Sequence, residues 1–252
     1  NGDPVAAQFT ADIALATRAS GTTWDNGDRI GITDIGNDTQ YGNVPFILKN
    51  GKFEAEKKVI YIEDTKTHTF RAYYPYNAAG GILTATTDAT AQQNQPAIDF
   101  LFASGATGDK KSPVVSFTDK TGKGGEDNSF HHRMSRITLT FEAGDGVNFS
   151  VGKPERYTLD GLLLTGTFNT ADGIATADNG RSLRCKDRRT DHESGRRQSH
   201  VIDHPLPADS CIPAVGCELQ RSGISCHTHH ARRRTAGGQQ LYLYRQGTQQ
   251  SP

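Results

Sequence analysis

The chain has 252 residues, with 28 Lys+Arg balancing 28 Asp+Glu, a length that suits one large domain or two of about 125 residues. No apolar run approaches the ~20 residues a membrane-spanning helix needs. The zero net charge hides two unlike parts that meet near Gly180: 16 Lys+Arg against 22 Asp+Glu before it, a net of −6, and 12 against 6 after it, a net of +6. All eleven Phe, the single Trp and the single Met lie in the first part, and all four Cys and six of the nine His in the second. Residues 1–180 contain enough Val, Ile, Leu and Phe to bury a core. Their richness in Thr, Asn, Asp and Gly favours short strands joined by tight turns, hence an all-β protein. The absence of Cys through Gly180 fits an extracytoplasmic protein that does not rely on disulfides. A chain opening at Asn1 with no signal peptide reads as a mature protein whose targeting segment has been removed.

Residues 5–16 set Phe9, Ala11, Ile13 and Leu15 in alternation with Thr10, Asp12 and Ala14, which predicts a half-buried strand. Trp24-Asp25-Asn26-Gly27-Asp28 turns into a second strand at Arg29-Ile30-Gly31-Ile32. Asn50-Gly51, between Phe46-Ile47-Leu48 and Phe53, is a strong hairpin signal because both residues tolerate positive φ. A strand is expected over 69–74, stopped by Pro75, which lacks the donor a central ladder needs. Strands are also expected over 98–103 and 114–117. The polar stretch 118–128, with Gly122, Gly124 and Gly125, reads as a domain linker. A second strand series follows. It carries Ile137, Leu139 and Phe141, then Val147, Phe149 and Val151, then 159–164, and ends at Gly166-Thr167-Phe168-Asn169 before an Asp172-Gly173 turn. The economical architecture is two antiparallel β-sandwiches in tandem. Residues 1–127 would form the first and 128–180 the start of the second, leaving 181–252 as an atypical tail.

Several phrases over residues 5–173 carry a resemblance. They are Ala16-Thr17-Arg18-Ala19 with Trp24 and Gly27-Asp28-Arg29-Ile30-Gly31-Ile32; Ala72-Tyr73-Tyr74-Pro75-Tyr76; Asp99-Phe100-Leu101-Phe102-Ala103; Phe130-His131-His132-Arg133-Met134-Ser135-Arg136-Ile137; and Tyr157-Thr158-Leu159-Asp160-Gly161 leading to Gly166-Thr167-Phe168. In this order and spacing the chain resembles the fimbrillin family of Bacteroidetes, cell-surface proteins that include pilus subunits. The resemblance implies two Greek-key, transthyretin-like β-sandwich domains and export as a lipoprotein to the outer membrane, the membrane being met only through a removed leader. It further implies a non-enzymatic fimbrial or adhesin-like structural role, with other subunits or the chain itself as partners. In the resembling pilins, cleavage after an Arg in this region, here Arg18, releases the strand 5–17, and a partner's strand fills the groove by β-augmentation. The alternative reading of Arg18 is an exposed turn residue.

The family's ending does not follow Gly180. Plausible codons read one base on from His200 permit alternating strands with Asn-Gly turns, similar to that ending, so residues 181–252 read as the product of a shifted frame. As written they hold few large apolar residues and are expected to be disordered, leaving the second sandwich incomplete.

A surface glycan-binding lipoprotein is the alternative function, with host or bacterial surface glycans or proteins as partners. Trp24, Tyr73, Tyr74 and Tyr76 would then be its aromatic platform. The competing readings are a buried Trp capped by a polar turn and aromatics spent on the core or on cross-strand pairs. An EF-hand calcium loop at Asp25–Asp28 lacks the further oxygen ligands and the spaced Glu. His131 and His132 read as structural. The tail's Cys211, Cys217, Cys226 and His229, with His227 and His230, form an alternative zinc set, but they lack the close Cys pairs of such sites. Its basic runs at Arg188-Arg189, Arg196-Arg197 and Arg232-Arg233-Arg234 carry no interleaved aromatics, so no nucleic-acid partner is assigned. With no nucleophile elbow, phosphate loop or metal-binding helix, no catalytic residue and no cofactor are assigned either.

Overall fold

A computed structural model of the chain describes the backbone of residues 3–14, 23–36, 41–87, 90–141, 157–162, 164–178, 183–187, 203–207, 215–220, 223–228 and 241–245. It describes the side chains of these residues as far as 178, except 92, 93, 95, 135–141 and 157–162. The element order is β1 (Val5–Ala6), β2 (Gln8–Ala11), β3 (Arg29–Asp34), β4 (Val44–Lys49), β5 (Lys52–Ala55), β6 (Tyr61–Ile62), β7 (His68–Tyr74), β8 (Ile82–Thr86), β9 (Leu101–Gly108), β10 (Val114–Phe117), β11 (His131–His132), β12 (Met134–Phe141), β13 (Tyr157–Leu162), β14 (Thr165–Asn169) and β15 (Ala175–Ala177). Beyond these lie β16 (Leu183–Asp187), β17 (Asp203–Pro207), β18 (Val215–Gln220), β19 (Gly223–Thr228) and β20 (Leu241–Arg245). The protein is all-β: among the described residues the only helical pieces are 3-10 turns at Ala91–Ala97 and Thr121–Lys123, and no helix is long and apolar enough to cross a membrane.

The local chemistry explains these elements. Asn50 (φ 49°) and Gly51 (φ 79°) close a two-residue hairpin with Lys49 opposite Lys52, the turn whose twist matches that of its flanking strands. The loops are shut by Asp and Asn side chains that accept a backbone N–H two residues on. Examples are Asp64 with Lys66, Asn77 with Ala79, Asp109 with Lys111, Asp119 with Thr121 and Asp127 with Ser129.

The main sheet has eight strands in the order β10-β2-β5-β4-β3-β7-β9-β11. It curls until β10 meets β9, where a Cβ on Gly108 would lie 2.8 Å from a Val115 methyl. Inside the curl, Phe9, Ile30, Ile32, Phe46, Phe70, Val115, Phe117 and Phe130 form the first core. A smaller sheet, β15-β14-β8, covers the opposite face of β7 and β9. There Tyr73, Phe100 and Phe102 pack with Ala85, Met134, Phe168 and Ala175 as a second core. β1 and β6 form a two-stranded sheet, and sheets β17-β12-β20 and β16-β13-β19-β18 hold the remaining strands.

Several expectations shift. The strand expected over 5–16 is broken: β1 pairs with β6, Ala7 N–H donates to Ile60 O at 2.9 Å, and only then does β2 enter the main sheet. The strand expected over 98–103 begins at Leu101, because Pro96 sits in the preceding 3-10 turn. It then runs on to Gly108 through a bulge, between Ser104 and Ala106, where Gly105 takes φ 88°. The stretch 118–128, expected as a linker, is a closed loop: Asp119 bridges Asp127 and Asn128 N–H donates to Thr118 O at 3.1 Å. Phe130, three residues past the expected boundary, is 0% exposed in the first core.

The tail expected to be disordered contributes strand backbone. β17 and β20 flank β12, and β16 and β19 flank β13. Ladder bonds use backbone groups that every residue but Pro supplies in full. Pro205 and Pro207 are accommodated because β17 lies at the edge of its sheet. The expected strand at Val147, Phe149 and Val151 lies outside the described residues.

Candidate functional site

The sequence singled out the strand 5–17, of which residues 5–14 are described; the seat of the described segment 3–14 is built from three neighbours. β1 lies antiparallel to β6 with Val5 opposite Ile62 and Ala6 opposite Tyr61. β2 runs parallel to β10, Phe9 beside Val115 and Ala11 beside Phe117, and antiparallel to β5 with Phe9 opposite Phe53. Gln8 N–H donates to Pro113 O and Asp12 N–H to Phe117 O, both at 2.9 Å. Ile13 forms a further bridge with Phe130. Alternation sends Ala7, Phe9 and Ile13 inward, each no more than 9% exposed, while Gln8, Thr10 and Asp12 face out.

Phe9 is the anchor. Its ring meets Phe46 at 4.9 Å and Phe70 at 5.4 Å edge to face, and stacks on Phe117 at 6.3 Å, geometries that add to its area burial. Withdrawing this one segment would uncover an apolar trough walled by Phe46, Phe70 and Phe117. It would also leave unpaired the backbone groups of β10, β5 and β6 that it now satisfies.

Trp24 caps the seat. Its indole N–H donates to Ala11 O at 3.0 Å, and its ring packs against Phe53, Tyr74 and Phe130 at 5.3, 5.5 and 5.0 Å. It is thus a packing residue with its polar handle satisfied. Tyr73 and Tyr74 are 2% and 9% exposed and point into the second and first cores respectively. The Tyr73 hydroxyl lies 2.8 Å from both Asn43 Oδ1 and Asn77 O and donates its one proton to one of them, and the Tyr74 hydroxyl donates to Asp28 Oδ1 at 3.1 Å. Burial, with the Asp28 charge behind it, pushes the Tyr74 phenol above its ordinary range. Tyr76 is half-buried under the Arg29 guanidinium at 4.8 Å. The aromatic platform expected from Trp24, Tyr73, Tyr74 and Tyr76 is therefore not assembled, because neighbouring strand positions face opposite sides and both sides of β7 are covered.

His131 and His132 each meet a separate carboxylate, Asp127 at 3.0 Å and Asp99 at 2.8 Å. The Asp127 contact, four residues back, was missed in the sequence. Among the described residues no group of three or more Cys, His, Asp or Glu is placed to hold a metal ion. Of the alternative zinc set, Cys217 and Cys226 occupy opposite positions on β18 and β19, while Cys211 and His229 lie outside the described residues. Arg18 lies outside them too.

Sequence reasoning also missed a buried pair. His68 and Asp34 are 4% and 5% exposed, and His68 Nδ1 lies 2.5 Å from Asp34 Oδ2. The available signal was His68 itself, in phase with Phe70 and Ala72 on the core face of its strand.

Comparison with known proteins agrees with this architecture. A protein of Bacteroides uniformis described as the fimbrium subunit Fim1C is 33% identical over 158 residues, covering 58% of this chain and 48% of the relative. The chain thus spans about half the length of that relative. A solved structure of a protein from Bacteroides ovatus, described as a cell adhesion protein, superposes with a TM-score of 0.62 over 100% of both chains at 17% identity, a likeness of fold alone. A family described as fimbrillin-like matches residues 17–202, well over half of the sequence, and the chain belongs to that family.

Proposed function

We propose that this chain is a structural, fimbrial or adhesin-like subunit of a surface fimbrium, acting outside the cytoplasm and assembling with other subunits or copies of itself. The carrying observation is the seat of residues 3–14: a short N-terminal segment that fills the first core with Phe9 and completes two sheets through β1 and β2. Exchange requires a strand that one cut can free and whose loss leaves a groove of defined register. A cut after Arg18 would free this one; family membership supports only the coarser role of assembly with other fimbrial subunits. A lipidated leader and outer-membrane attachment are part of the same proposal. So is a division into a first unit of residues 1–127 and a second beginning at 128, although β8 of the first pairs with β14 of the second. The test is limited digestion of the folded protein with an Arg-specific protease, followed by sizing at rising concentration. A single cut near Arg18 with oligomers that grow with concentration is expected. No cut there, or a trimmed chain that stays monomeric at every concentration, would overturn the exchange mechanism.

A further inference from the structure

The strand that receives β1 is tied down by a histidine. β6 pairs only with β1 among the described residues, and a short turn leads from it to β7. Asp64 in that turn and His68 at the start of β7 close it: His68 Nε2 lies 3.1 Å from Asp64 Oδ1, which also accepts Lys66 N–H at 2.9 Å. The other ring nitrogen, Nδ1, lies 2.5 Å from Asp34 Oδ2 at the end of β3, and Asp34 Oδ1 accepts Gly36 N–H at 3.0 Å. One imidazole thus bridges the β6–β7 turn to the middle of the main sheet.

Both ring nitrogens face carboxylate oxygens, which only accept. A neutral imidazole carries one N–H and one lone pair, so it can satisfy one carboxylate while its lone pair repels the other. The geometry calls for a ring with both protons, held by two charge-assisted bonds. Among the described residues the charged groups facing the ring are Asp34 from β3 and Asp64 from the turn, with Lys66 3.9 Å from Asp64's second oxygen. Phe70 of β7 stacks alongside at 6.3 Å. Burial opposes the charged ring, but the bonds to Asp34 and Asp64 outweigh it and His68 titrates above its ordinary value. The Asp64 side chain is 43% exposed while that of Asp34 is 1% exposed. The bond to Asp64 is therefore the one that yields when the ring loses a proton.

We propose that His68, bridging Asp34 and Asp64, is a proton-dependent latch on the seat of the N-terminal segment, closed while the ring carries both protons and loosened when Nε2 loses its own. This rests on the reading of that segment as the exchanged strand. The sign follows from linkage. A group that titrates higher when folded contributes its full stabilisation below about pH 6.5, the unfolded value, and loses it as pH rises through the folded one. Mildly acidic conditions would hold the strand in place and alkaline ones would ready it for release.

The test is amide hydrogen exchange on the full chain across about pH 5 to 9, corrected for intrinsic rates, with the His68 ring followed by its nitrogen resonances. Ala7 N–H, which donates to Ile60 O, reports the seat. Gly27 N–H, which donates to Leu48 O, is the reference. Protection at Ala7 should fall about tenfold as His68 deprotonates, the size expected for loss of one bond to a charged group, while the reference stays level. Asp64→Ala leaves the buried Asp34–His68 pair intact and should give the low protection at every pH. Level protection at Ala7 through the titration, or a ring with a single protonated nitrogen throughout, would overturn the latch. Neither outcome depends on exchange between chains. A protein that fails to polymerise while Ala7 follows pH would lose the proposed function and keep the latch.

Discussion

Gly173 and Gly51 both hold positive φ, at 72° and 79°, yet they should differ in how they tolerate alanine. At Gly51 nothing lies within 4 Å of an added Cβ, so Gly51→Ala meets only the left-handed penalty of about 1–2 kcal/mol. At Gly173 the added Cβ would run into the Phe102 ring, which adds overpacking of about 1–3 kcal/mol. Thermal melts should show Gly173→Ala lowering the midpoint more than Gly51→Ala; equal shifts would mean that the turn after β14 does not press on Phe102. The contrast also marks what single residues reveal. The inward phase of Phe9 and Ile13 and the Asn50-Gly51 turn are local and could be read directly. The burial of Tyr73 could not, because its cover comes from Phe168 and Ala175, about a hundred residues away. His68 was hidden for the same reason, since Asp34 lies 34 positions earlier.

Elements were legible where the pattern is continuous and lost where pairing is distant. Alternation marked the N-terminal segment as a strand but could not say that it slots between β10 and β5, more than a hundred positions from the first of these. β8, five residues long and without a clean apolar–polar alternation, was not recognised. It pairs with β14 in a register that sets Thr84 opposite Thr167. Bonds from Thr170 N–H to Gly81 O and from Thr87 N–H to Leu164 O fix the alternate positions as the hydrogen-bonded ones. Thr84 and Thr167 are thus a non-hydrogen-bonded pair, whose Cα atoms approach to about 4.5 Å, within reach of a disulfide. The double variant Thr84→Cys, Thr167→Cys should form that cross-link on mild oxidation, detected by peptide mass mapping. Its absence, with both thiols free, would mean that β8 and β14 are not neighbours.

At the scale of the whole molecule, the fold class was readable from composition, and the family from short phrases spread over residues 5–173. The tail was not readable in the same way, because its side chains follow no pattern that the first 180 residues share. The fimbrillin-like match ends at residue 202, leaving 50 of 252 residues beyond it (252 − 202), and the Cys and His enrichment begins near Gly180. We propose a shifted reading frame as the common cause. Nucleotide sequence from codon 170 onward should then show an open alternative frame encoding alternating strands; a closed frame would make the Cys- and Arg-rich tail genuine.

The central claim is that residues 5–17 are a removable strand whose described part, up to residue 14, has a defined seat. The most direct measurement is the affinity of a synthetic peptide of that sequence for the chain trimmed after Arg18, read together with the melting midpoint. Saturable binding that raises the midpoint is predicted, and the same peptide carrying Phe9→Asp should not bind, because a carboxylate would displace the ring now packed on Phe46, Phe70 and Phe117. A trimmed chain as stable as the intact one, or one that binds both peptides equally, would contradict the account.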